Sequence, residues 1–127
     1  MKIFNIKPVY AHCDLPCGVY DPAQAKIEAE SVREIMLKYA EANEQDKIRA
    51  IIIKEQRAEL VKYHLMVLWA DYFKPEHVEK YPDLHQKFWL AIKQASTCKR
   101  SLDPGEAQKL IDQVDAIAEI FWETKKA

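Results

Sequence analysis

Between Gln45 and Phe73 the chain contains neither glycine nor proline, and that continuity restricts the fold more than any other feature. Ile51, Ala58, Val61, Leu65, Leu68 and Tyr72 recur there on a heptad-like beat that Lys54 interrupts, as expected of one long amphipathic helix. The whole sequence has only two glycines, both outside the periodic stretches, so it lacks material for hairpins or phosphate-cradling loops.

Three more helices are expected around that one. Asp21-Pro22-Ala23-Gln24 reads as an aspartate cap, a proline in the first turn and a glutamine closing the box. The helix it opens should run to about Asn43, burying Ile27, Val32, Ile35, Met36 and Tyr39 and leaving Glu28, Arg33, Glu34 and Lys38 on the opposite face. After the stop at Lys74-Pro75, a stripe of Leu84, Phe88, Ala91, Ile92 and Ala95 marks a third helix that should fray near Cys98. Asp103-Pro104-Gly105-Glu106 repeats the cap pattern and begins a fourth, with Leu110, Val114, Ile117 and Phe121 buried. Four helices with one apolar face each, joined by short connections, predict an all-α antiparallel four-helix bundle.

Charge excludes one class of function. The 19 basic and 20 acidic residues nearly cancel to −1 and are interspersed, so there is no basic face for nucleic acid. No apolar run reaches the length of a membrane span, and residues 1–11 lack the continuous hydrophobic centre of a secretion signal, which makes the cytoplasm the expected location.

The irregular segment before the first helix carries the chemistry. His12-Cys13-Asp14-Leu15-Pro16-Cys17-Gly18-Val19-Tyr20 brings an imidazole and two thiols into nine residues. A tetrahedral zinc cage would need a fourth ligand from His64, His77, His85 or Cys98, which lie on or near separate helices. Adjacent His12 and Cys13 fit a plane better. If the chain began at His12, its free amine, the Cys13 amide nitrogen and the thiolates of Cys13 and Cys17 would give two nitrogens and two sulfurs, a set that suits nickel(II) or copper(II). Reversible disulfide or metal-handling chemistry between Cys13 and Cys17 is a second reading, and a structural bundle with incidental cysteines a third.

The run H-C-D-L-P-C-G-V-Y at 12–20 resembles the nickel hook of the nickel superoxide dismutases. The likeness continues through Asp21-Pro22-Ala23-Gln24, Lys54-Glu55-Gln56-Arg57-Ala58-Glu59-Leu60, the segment 69–75, Glu79-Lys80-Tyr81-Pro82 and the ending 120–127. It implies a chain divided into a cleavable leader (1–11), a hook (12–20) and a helical bundle (21–127). It also implies one nickel ion per subunit, superoxide as substrate, cycling between Ni(II) and Ni(III), a homohexamer with the hooks at subunit contacts, and a dedicated protease that frees His12.

Residue by residue, the resemblance implies that His12 gives its amine and, in the oxidised state, an axial imidazole. Cys13 gives amide nitrogen and thiolate, and Cys17 the second thiolate. Glu28 and Arg57 would hold the His12 imidazole, as metal-bound histidines generally require. Tyr20 and Tyr72 would border the pocket, Tyr20 with a supporting part in catalysis. Asp14, Pro16 and Gly18 would shape the hook. Cys98 has no role in this scheme, and the other histidines are expected to pack or face solvent.

Overall fold

A computed structural model describes residues 18–126 of the chain. Five helices follow in order: α1 (Ala23–Tyr39), α2 (Glu44–Val67), α3 (Pro75–Lys80), α4 (Leu84–Arg100) and α5 (Pro104–Lys126), with a π-helical turn, Leu68–Tyr72, extending α2. α1 packs on α2 and α5, and α4 on the same two, so the four long helices form a square with α1 and α4 on one diagonal. The contacts fix the directions. Lys26 pairs with Asp115 and Arg33 with Gln108, while Glu28 meets Arg57 and Tyr39 lies under Lys47. Neighbours therefore run antiparallel, as expected from the short connections.

Each long helix contributes one seam spaced in threes and fours. Ala25, Ala29, Val32 and Met36 line α1; Ala58, Val61, Leu65 and Leu68 continue along α2. Leu84, Phe88, Ala91, Ala95 and Cys98 serve α4, and Ala107, Leu110, Val114, Ile117 and Phe121 serve α5. Seams of this period face one another when antiparallel helices cross at a shallow angle. The α4 and α5 seams include every residue expected there except Ile92, which packs at the margin of the core.

The α1 seam differs from the expected one. Ile27 is 53% exposed, Ile35 and Tyr39 are only partly covered, and Glu28, assigned to the outer face, is buried. Alanines 25 and 29 take the inner positions instead; two methyl groups let the backbones approach where larger side chains would hold them apart. The helix also stops at Tyr39 rather than Asn43, because Asn43 caps the next one: its side-chain oxygen accepts from the Asp46 amide at 2.8 Å.

The two Asp-Pro starts are simpler than capping boxes. Asp21 accepts from the Ala23 amide at 2.7 Å and Asp103 from the Gly105 amide at 2.8 Å. Gln24 closes no box, and Glu106 binds Gln94 and Lys109. At the far end of α2 the backbone widens into the π-helical turn, closed by the Phe73 amide on the Leu68 carbonyl at 3.1 Å. That one-residue offset turns both Leu68 and Phe73 into the core before Lys74, extended as a residue before proline should be, ends the run.

Lys54 does not break the α2 beat; it occupies a core position on it, 2% exposed. Its amine donates to the carbonyls of Cys98, Lys99 and Ser101 at 2.7, 2.6 and 2.7 Å. Three N–H groups thus meet three acceptors, two of them carbonyls at the negative end of α4 that have no partner within the helix. Burial pulls the amine below its ordinary value, opposed by the negative charge of Glu55. The same contacts carry α4 past its expected fraying point to Arg100, with Cys98 fully enclosed. Lys54→Met should therefore cost about 2–4 kcal/mol by leaving those carbonyls unsatisfied, seen as a lower denaturation midpoint. An unchanged midpoint would mean that the carbonyls find other donors.

Candidate metal centre

The residues expected to hold metal, His12, Cys13 and Cys17, lie outside the described residues, as do Asp14 and Pro16. What the structure shows is the ground on which that segment stands. Gly18 opens a turn with φ +89°, in the left-handed region that glycine enters without cost. A Cβ there would meet nothing within 4 Å, so the backbone angle, not crowding, favours glycine.

Two residues later the chain is tied down. The Tyr20 hydroxyl is hydrogen-bonded to Nδ1 of His64 in α2, with the two rings 5.7 Å apart. Tyr63 sets its ring edge-on to His64 at 5.4 Å. Burial, assisted by Tyr63, pushes the Tyr20 phenol up to about 12, so it remains an O–H at neutral pH. Burial also lowers His64, while the negative charge of Glu28 acts in the opposite sense. In the neutral tautomer with its proton on Nε2, the imidazole accepts the phenol proton at Nδ1.

Glu28 and Arg57 complete this side of the bundle. Arg57 Nη1 donates to both Glu28 carboxylate oxygens, each at 3.1 Å. The carboxylate end of the pair is 7% exposed, whereas the guanidinium is nearly half open to solvent. Arg57 and His64 stand seven residues apart, hence on one face of α2, and both reach toward the amino-terminal part of the chain. Three of the residues singled out in the sequence, Tyr20, Glu28 and Arg57, are thus gathered around one stretch of α2.

Tyr72 belongs to a different cluster. Its hydroxyl bonds Thr124 Oγ1 at 2.6 Å, its ring packs on Phe73, Phe121 and His77, and Lys125 lies over it at 4.8 Å. The sequence offered His64 only as a possible fourth zinc ligand, otherwise expected to pack or face solvent, and gave it no part beside Tyr20. Its one sequence signal was its heptad spacing from Arg57, which acquires meaning only when Tyr20 is seen to fold back onto it.

Cys98 narrows the choice of thiolates. It is enclosed between α4 and Lys54, and burial pushes its thiol up to about 11, so it remains protonated and a poor ligand. Among the described residues no three His, Cys, Asp or Glu side chains come together as a metal site. That leaves Cys13 and Cys17 to supply thiolate, and their sulfurs together with the nitrogens of His12 and Cys13 would make a donor set whose chemistry fits nickel.

A family model described as nickel-containing superoxide dismutase matches residues 7–125. The chain belongs to that family. The nickel superoxide dismutase of Streptomyces seoulensis is 60% identical over 120 residues, covering 94% of this chain and 92% of the relative. That of Streptomyces coelicolor is 58% identical over the same span. A native nickel superoxide dismutase structure superposes with a TM-score of 0.88 at 58% identity, covering 91% of this chain and all of that one. The helical bundle is thus the scaffold of the nickel superoxide dismutase family, and the match spans the donor run at 12–17.

His64 makes this region acid-sensitive. A half-buried neutral imidazole, held below its ordinary value of 6.5, contributes its full stability above that value and loses it as pH falls through the lower folded-state value. Chemical denaturation from about pH 7 to about pH 5 should therefore weaken the parent protein more than a His64→Gln variant. Parallel losses in the two would contradict a depressed His64.

Proposed function

We propose that this protein disproportionates superoxide: two radical anions and two protons become one dioxygen and one hydrogen peroxide. The observation that carries this is the donor run H-C-D-L-P-C at 12–17, set within a family match covering nearly the whole chain. Nickel bound there supplies a one-electron Ni(II)/Ni(III) couple, made accessible by two thiolates and an anionic amide that push electron density onto the metal.

The chain's own residues provide the rest. His12 gives a terminal amine and an imidazole, Cys13 an amide nitrogen and a thiolate, and Cys17 the second thiolate. Pro16 and Asp14 shape the loop between the two cysteines, and Gly18 sets the turn that leads from it to the bundle. Glu28, presented by Arg57 at 3.1 Å, is the carboxylate available to orient the His12 ring, the support that ligand imidazoles generally need. Tyr20 offers a protonated phenol beside the hook, and Tyr72, its hydroxyl bonded to Thr124, borders the pocket from a separate cluster.

Residue 12 has a basic amine only after the bond to Ala11 is cut. Removal of residues 1–11 by a protease is therefore the step that switches the enzyme on. Assembly as a homohexamer in the cytoplasm, with the hooks at subunit contacts, completes the reading. Exposed Ile48, Ile52, Tyr63 and Met66 along α2 support burial of that face between copies.

Two measurements test this. Intact-mass analysis of active protein should show chains beginning at His12, and a nickel-loaded, dismutating chain that retains Met1 would refute the gate. In the cleaved protein, Cys13→Ser should abolish the thiolate-to-nickel absorption and reduce dismutase activity to that of metal-free protein. Unchanged activity would rule out the assigned ligand set.

A further inference from the structure

Residues 18–20 join the donor run to the bundle. Gly18 reverses the chain in an exposed turn that touches nothing where a Cβ would stand, and Val19 is likewise exposed. The first side chain after Cys17 to grip the bundle is that of Tyr20, and its hydrogen-bond partner is His64. His64 is itself braced by Tyr63 on one side and stands two helical turns from Arg57, which holds Glu28. One face of α2 therefore restrains the amino-terminal chain at two levels: Arg57 fixes α1 through Glu28, and His64 fixes the segment ahead of α1 through Tyr20.

We propose that His64 is a positioning residue for the nickel-binding segment, accepting the Tyr20 phenol proton at Nδ1 and so pinning the backbone three residues beyond Cys17 against α2. The inference rests on the reading of 12–17 as the donor segment. It gives a helix histidine without metal-ligand spacing a definite task, because a loop held at its exit samples fewer arrangements and loses less entropy when its donors converge on one ion. His64 contributes an acceptor here, so a side chain that accepts at the same place can stand in for it, whereas an apolar one cannot. A net contribution of the size usual for one hydrogen bond corresponds to a roughly three- to tenfold effect.

The test uses the chain beginning at His12, loaded with nickel, in five forms: parent, His64→Leu, His64→Asn, Tyr20→Phe, and the double variant His64→Leu with Tyr20→Phe. Nickel affinity by chelator competition and kcat/KM per bound nickel should each fall about three- to tenfold in His64→Leu and in Tyr20→Phe. The double variant should be no worse than the poorer single one, since both remove the same bond. His64→Asn, whose amide oxygen sits near the position of Nδ1, should recover most of the loss. In metal-free protein, nitrogen NMR of His64 should show Nδ1 without a proton in the parent and a shifted resonance in Tyr20→Phe.

Losses that multiply in the double variant, or a His64→Leu protein indistinguishable from the parent, would overturn the proposal. If His64→Leu does not fold, His64→Asn and the NMR comparison decide, and a protonated Nδ1 in the parent would count against the bond. A parent protein that binds no nickel or lacks dismutase activity would overturn the dismutase reading itself. An active parent with independent His64 and Tyr20 effects would overturn this inference alone.

Discussion

A lysine amine sealed into the bundle sets how α2 lies against α4, and α2 in turn carries Arg57 and His64, which hold Glu28 and Tyr20. Lys54 spends its three N–H groups on the last carbonyls of α4 and the residue just beyond. A buried ammonium is tolerable only when fully hydrogen-bonded, so the alternatives open to α2, sliding or rotating against α4, would each strand a charge. From that fixed register, Arg57 and His64 project from one face toward Glu28 and Tyr20.

The resulting division of labour suits a metal site whose ligands come from a short loop rather than from the bundle. The helices supply no ligand cluster of their own among the described residues, and the buried thiol of Cys98 is kept protonated. What they supply is rigidity: a carboxylate presented by a guanidinium, a phenol presented by an imidazole, and a core of interlocking seams behind both. Second partners of this kind govern how a metal-binding side chain points, and hence the electronic character of the site.

Most of the fold was legible from periodicity. In α4 and α5 large aliphatic and aromatic side chains mark the buried face, and the expected seams closely match the observed ones. In α1 periodicity found Val32 and Met36 but missed Ala25 and Ala29, because alanine carries little hydrophobic signal, and it placed inside an Ile27 that the packing leaves exposed. Lys54 misled in the opposite way. A charged residue on an apolar beat looks like an interruption until the carbonyls of a different helix, more than forty residues away, are seen to converge on it.

The sequence by itself determined which candidate donor groups lie together and that four long helices form the bundle; the short α3 was not read from it. Both are local: two thiols, an imidazole and a potential terminal amine are close together along the chain, and a helical period is written within each segment. Only the tertiary structure decided which polar residues face inward and whom they meet. The pairings of Glu28 with Arg57, Tyr20 with His64 and Lys54 with the end of α4 join residues far apart in the chain, and no local pattern encodes them. They exist because antiparallel helices locked by a common heptad bring distant positions to the same level.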